Sequence, residues 1–230
     1  MNNINNLTLV IPAKEEPQSL PGVLKELSKY ECKKIIVLKN DDIETINAIK
    51  NYDVEIVYQT KKGYGNAIIE GIQKVNTRFL AIYYADGSTD PKYLMPMLNL
   101  IKINNYSIVF GSRYEKNAGS LDDDFITRIG NFFFTTFGNI FFNLKITDIL
   151  FTYIVCVKSD INKLKLESNN YNLCVEIPLK SKVKNLKYCS YPCIERKRIG
   201  DQKKVKPFKV GFQILTYMLK FFFLNIINTK

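Results

Sequence analysis

Five short apolar runs separated by helix-length stretches fill the first half of the chain, and that alternation leaves few architectures open. The runs are 7–11 (LTLVI), 34–38 (KIIVL), 55–58 (EIVY), 78–84 (RFLAIYY) and 107–111 (SIVFG). Between them, 19–29, 42–50 and 66–74 read as helices, and a fourth helix opens at Pro91, a residue suited to a first helical turn. Strand–helix alternation at this spacing predicts βαβ units and an α/β, Rossmann-like, mostly parallel sheet flanked by helices. Ligands of such sheets bind beyond the carboxyl ends of the strands. The segments to search are therefore PAKEE, KNDD, KKGYG, ADGSTD and GSRY.

Composition narrows the chemistry. The 230 residues include no histidine, which removes imidazole as base, nucleophile partner or metal ligand. Serine and cysteine hydrolases that depend on His, and His-based zinc enzymes, are excluded. Carboxylates, Lys/Arg, hydroxyls, backbone amides and a hard cation remain. Five cysteines at irregular spacing give no disulfide framework, and Cys189-x-x-x-Cys193 has nothing nearby to complete a metal site. The N-terminal residues lack the pattern of a signal peptide, so the expected location is cytoplasmic.

The net charge of +11 is local. Residues 1–179 carry 20 basic and 20 acidic side chains, whereas residues 180–230 carry 13 and 2. A neutral body with a basic end points to an anionic partner. Two segments beside that charge are unusual. In 129–144, polar residues recur every fourth position (Asn131, Thr135, Asn139, Asn143) in a Phe-rich helix; in 208–227, Lys209, Gln213, Thr216 and Lys220 fall at helical spacing in an otherwise apolar stretch. The leading expectation for the second is a helix lying on a membrane surface, with a span, or packing in the core or in a homo-oligomer interface, as alternatives. We divide the chain into a catalytic domain, 1–205, and a basic, apolar C-terminal helix, 206–230.

The ordered set VIPAKEE, GYGNAIIEG, ADGSTDP and GSRY, each following a strand, resembles glycosyltransferase family 2. Within that family it is most similar to polyprenyl-phosphate sugar transferases of the dolichol-phosphate mannosyltransferase type. Arg128, Asp148 after LKIT, Glu176 in CVEIPLK and the closing ERKRIGDQKK extend the likeness over residues 7 to 210. The resemblance implies a GT-A type fold, a nucleotide-diphosphate sugar as donor, and Mg²⁺ or Mn²⁺ as cofactor. It places Pro12, Ala13, Glu16, Asp41, Gly63, Gly65, Asn66, Ala85, Asp86 and Arg113 around the nucleotide sugar. Asp86 is the expected metal ligand; Asp86, Asp148 and Arg128 are the catalytic candidates; Arg128, Arg196, Arg198 and Lys203 are the candidates for acceptor phosphate.

Physical chemistry makes these assignments reasonable. Glycines before a helix let a phosphate approach its amides, and guanidinium groups pair with phosphate oxygens. A hard cation takes oxygen ligands and keeps phosphates and waters in its shell. The chain also departs from the family. Tyr84 stands where the first acid of Asp-x-Asp is expected, with Asp90 as a compensating acid or a helix cap, and Lys39 and Asn40 occupy the acidic positions after the second strand.

The acceptor follows from proton chemistry. A phosphomonoester has a second pKa of about 6 and arrives already anionic, so it needs no strong base. The expectation is a peripheral enzyme on the inner, cytoplasmic face of the membrane, moving a sugar with inversion to a polyprenyl phosphate. Alternatives are a glycan or other hydroxyl acceptor, with Asp148 or Asp124 as base, and a degenerate, non-catalytic scaffold. Nucleic acid is not expected as a partner, because the basic run is interleaved with Phe/Leu/Ile stretches and no reader motif is present.

Overall fold

A computed structural model describes residues 2–200 and 206–228. The strands are β1 (Asn2–Pro12), β2 (Tyr30–Leu38), β3 (Glu55–Tyr58), β4 (Phe79–Ile82), β5 (Ile108–Ser112), β6 (Gly119–Ser120), β7 (Ile154–Val157), β8 (Tyr188–Pro192) and β9 (Ile194–Glu195). The helices are α1 (Leu20–Leu27), α2 (Ile43–Ile49), α3 (Tyr64–Lys74), α4 (Leu94–Asn104), α5 (Phe125–Phe142), α6 (Lys158–Lys163), α7 (Leu173–Val183) and α8 (Pro207–Asn228). Pro91 opens a single 3₁₀ turn (Pro91–Tyr93) ahead of α4, and Asp90 caps it through the Lys92 amide.

The main sheet has the order β3-β2-β1-β4-β7-β5-β8. Its pairs are parallel except at β7, which runs antiparallel to both β4 and β5. The expected mostly parallel sheet is therefore present. Two main-sheet strands, β7 and β8, go beyond the five apolar runs. Core residues alternate between the faces: Val10, Ile35, Val37 and Ile82 pack toward α3, while Leu9, Ile11, Ile36 and Ala81 pack toward α1 and α4.

The chain reverses direction across the sheet between β1 and β4. From β1 it moves outward to β2 and β3, then returns to place β4 on the other side of β1. Such a reversal splays the following loops apart and leaves a crevice at the carboxyl ends of the strands.

Helix α5 is built inside out. Asn131 and Thr135 are buried and accept the Leu150 and Ile149 amides, at 3.2 and 3.1 Å. Asn139 exchanges two hydrogen bonds with the backbone of Ile146. The polar stripe thus satisfies an irregular loop that has no strand partner. Phe125, Phe132 and Ile140 are left facing outward. Helix α8 packs on α5 through Phe142 against Phe221 and Phe222, and buries Ile214 and Met218 in the core beside α3 and α7. No helix among the described residues is long and apolar enough to cross a membrane.

Candidate functional site

A cleft of about 1500 Å³ opens at the β1/β4 reversal. Its floor holds Pro12, the last residue of β1, and Ala13, Glu16, Asp41, Ala85 and Asp86 from segments that follow strands; Arg113 and Arg198 also line it. One wall is apolar, made by Ile126, Ile129 and Phe134 of α5 and by Phe208, Phe212 and Leu215 of α8.

Asp86 is held in place. Its Oδ1 accepts the Ser88 amide (3.0 Å) and the Ser88 hydroxyl (2.7 Å), and its Oδ2 lies 3.9 Å from the Arg198 guanidinium. Tyr84 beside it is not a substitute ligand. Its hydroxyl accepts the Thr152 amide at 2.8 Å and bonds the Thr152 hydroxyl, and burial pushes the phenol pKa far up. Asp90 is turned into its cap and pairs with Lys92 at 3.0 Å. Among the described residues no group of three or more His, Cys, Asp or Glu side chains could hold a metal ion alone. A hard cation that keeps diphosphate and water ligands needs only one or two carboxylates. Asp86, with one oxygen fixed by Ser88, fits that smaller demand.

Glu16 lines the cleft, and one of its carboxylate oxygens accepts the Ser19 hydroxyl at 2.5 Å. Asp41 also lines the cleft, while its neighbour Asp42 caps α2 through Thr45 and accepts the Glu15 amide.

Several expected contacts are placed otherwise. The glycines before α3 do not open its amides to a ligand. A Cβ on Gly63 would fall 1.9 Å from the Asn169 carbonyl oxygen, and one on Gly65 2.0 Å from that of Ser168. The Gly65 and Asn66 amides both donate to the Asn169 carbonyl. These glycines admit another stretch of chain, which Glu176 pins by accepting the Glu167 and Ser168 amides. Gly63 still edges the cleft; Gly65 and Asn66 do not line it.

Arg113 reaches the cleft but is committed to carboxylates. Its Nε and Nη2 bind the two oxygens of Asp148 at 2.8 and 3.1 Å, and Nη1 binds Asp123 at 3.0 Å and Glu195 at 3.2 Å. The Phe151 ring covers the guanidinium at 4.8 Å. Asp148 is 2% exposed, lies outside the cleft lining, and spends both oxygens on Arg113 and the Phe151 amide. It positions Arg113 and cannot serve as a base. Asp124, the other base candidate, caps α5 through Thr127.

The arginine set is dispersed as well. Arg196 forms a bidentate pair with Glu26 of α1 and lies outside the cleft lining. Arg128 lines an adjoining hollow of about 760 Å³ along α5, beside Tyr114, Phe132 and Thr136, which shares Arg113 and Ile129 with the cleft. Lys203 lies outside the described residues. Arg198 alone of the four acceptor candidates is seen in the cleft, where it clamps Asp122 at 2.6 and 3.1 Å.

Sequence reasoning missed Asp122, Asp123 and Glu195. The first two belong to the run LDDD, a visible cluster; Glu195 carries no signal of its own. Glu195 is 5% exposed, accepts the Ser120 hydroxyl, and borders the cleft. Burial raises its carboxyl pKa, with Arg113 acting in the opposite sense.

The comparisons with known proteins agree with this architecture. Among curated relatives, an uncharacterised glycosyltransferase of Mycobacterium tuberculosis is 31% identical over 85 residues, 36% of this chain and 38% of that protein. An uncharacterised protein of Methanocaldococcus jannaschii is 26% identical over 139 residues, 57% of each. The chain's matches thus span well under two thirds of either relative. Among solved structures, the fold is similar to glucosyl-3-phosphoglycerate synthase of Mycobacterium tuberculosis, seen with Mn²⁺, UDP and glucosyl-3-phosphoglycerate and with Mn²⁺, UDP-glucose and phosphoglyceric acid. The TM-score is 0.74 at 10% identity, over 95% of this chain and 80% of that one. At that identity the likeness speaks for the GT-A fold alone. The description "Glycosyl transferase family 2" matches residues 8–164, more than half of the chain, and the chain belongs to that family.

Proposed function

We propose that this protein transfers a sugar from a nucleotide-diphosphate sugar to a polyprenyl phosphate, with inversion, at the cytoplasmic face of a membrane. The observation that carries the reading is the two-sided cleft. A polar floor at the strand ends suits a nucleotide sugar, and the wall formed by α5 and α8 suits the chain of an amphiphilic acceptor.

In this reading Glu16 and Asp41 lie on the nucleoside side, next to Pro12 and Ala13. Asp86 would hold Mg²⁺ or Mn²⁺, which supplies charge neutralisation at the departing diphosphate. Arg198 pairs with phosphate oxygens in the same cleft. The acceptor phosphate is anionic at neutral pH and requires no general base, in keeping with a chain without histidine and with Asp148 buried on Arg113. The synthase structures of similar fold also hold Mn²⁺, a UDP-sugar and an acceptor that bears a phosphate.

Glu195 favours a second reading. A buried carboxyl with a raised pKa at the cleft edge is a candidate base for a hydroxyl acceptor. A panel of UDP- and GDP-sugars with Mg²⁺ or Mn²⁺, offered polyprenyl phosphate or free glycans, separates the two. We expect nucleotide release that depends on the lipid phosphate. Release that depends on glycans alone would contradict the lipid-phosphate reading in favour of the hydroxyl acceptor.

A further inference from the structure

We infer that Arg198 is the built-in counter-cation of the cleft, and that it makes divalent-cation binding at Asp86 conditional on the nucleotide diphosphate. The inference rests on the reading of Asp86 as the cation ligand and adds the order in which the charges assemble.

Arg198 is delivered to this place by the backbone. The Arg196 amide donates to the Ser88 carbonyl and the Ile199 amide to the Asp86 carbonyl, both at 2.7 Å, so the segment is strapped onto the turn that carries Asp86. From there its guanidinium reaches 3.9 Å from Asp86 Oδ2 while Nε and Nη2 grip Asp122. The surroundings are acid-rich. Asp86, Asp122, Asp123, Asp148 and Glu195 face two arginines, and Arg113 is already committed to three of those carboxylates. Tyr84 supplies no second charge for a metal.

Two consequences follow from charge alone. A divalent ion arriving by itself at Asp86 would meet the Arg198 guanidinium 3.9 Å from the ligand oxygen, which weakens the pull of the surrounding carboxylates on it. A diphosphate brings oxygens that pair with both the ion and the guanidinium, which removes that opposition. Cation and nucleotide therefore bind with positive coupling, and by linkage each raises the affinity of the other by the same factor. With Arg198 neutralised, the acid surplus faces the ion directly and the coupling shrinks.

The test is a Mn²⁺ titration followed by the electron paramagnetic resonance of the free ion, without nucleotide and with saturating UDP or, in parallel, GDP. Wild type, Arg198→Gln, Arg198→Lys and Asp86→Asn are compared. We expect wild type to bind Mn²⁺ at least about tenfold more tightly with one of the diphosphates than without, and Arg198→Gln to bind Mn²⁺ alone about tenfold more tightly than wild type does. Arg198→Lys, which keeps the charge, should behave as wild type. Equal Mn²⁺ affinity of wild type and Arg198→Gln in the absence of nucleotide overturns the inference and leaves the cation reading standing. Mn²⁺ bound by no protein under any condition, or bound by Asp86→Asn as by wild type, overturns the cation reading and the inference with it.

Discussion

Arg113 shows how a single buried charge organises this site. The residue is 7% exposed, and its guanidinium touches three carboxylates and lies against Phe151. Removing Asp148 strands the buried donors it satisfies, the Arg113 Nε, Nη2 and amide and the Phe151 amide, which costs about 3–5 kcal/mol. Asp148→Ala should lose about that much in urea unfolding; a loss below about 1 kcal/mol would show that Arg113 does not depend on it. Glu195 adds a pH dependence. Its folded pKa is raised, so the stability it contributes is full below the ordinary glutamate value and is lost as pH rises through the raised one. Denaturant midpoints of wild type relative to Glu195→Gln should therefore decline as pH rises from the ordinary glutamate value, and a flat difference would contradict the shift. Arg113 and Asp148 stood out in the sequence from their places within GSRY and after LKIT. Their mutual pairing did not, because position in a motif does not reveal which carboxylates fold onto an arginine from 35 and 82 residues away.

At the scale of elements, periodicity and strand-end position were read correctly, and contacts between distant segments were not. Runs 7–11, 34–38, 55–58, 78–84 and 107–111 all lie in or around strands of one sheet, because apolar period and turn signals are local properties. The approach of 168–170 to α3 is non-local, and so Gly63 and Gly65 looked like a phosphate loop. Gly65→Ala should destabilise the protein by about 1–3 kcal/mol through overpacking against the Ser168 and Asn170 carbonyls. Thermal melts check this, and an unchanged melting temperature would restore an open helix N-terminus. The stripe of Asn131, Thr135 and Asn139 was visible, but periodicity does not say which face is inside. Its burial follows from the unpaired amides of 146–150, and the outward Phe face is the consequence.

Along the chain, basic charge and apolar surface meet in the C-terminal segment. The excess of basic residues lies in 180–230, and α8 carries Lys209 and Lys220 beside Phe208 and Phe212, which are 80% and 73% exposed. Exposed aromatics next to lysines suit an anionic bilayer surface. Phe208→Ser/Phe212→Ser should weaken sedimentation with phosphatidylglycerol vesicles by about tenfold while leaving the melting temperature near wild type; unchanged sedimentation would contradict a membrane role for α8. The sequence located this end of the molecule through composition, which needs no knowledge of contacts, whereas the cleft wall requires α5 and α8 to be brought together in space. The central claim is that the cleft moves a sugar onto a lipid phosphate. Its most direct test is transfer of radiolabelled sugar from UDP- or GDP-sugars into organic-extractable product, with polyprenyl phosphate and Mn²⁺, by wild type beside Asp86→Ala. We predict label in the lipid fraction with wild type and at least about 10²-fold less with Asp86→Ala. Equal label from both proteins, or label entering only water-soluble glycans, would contradict the account.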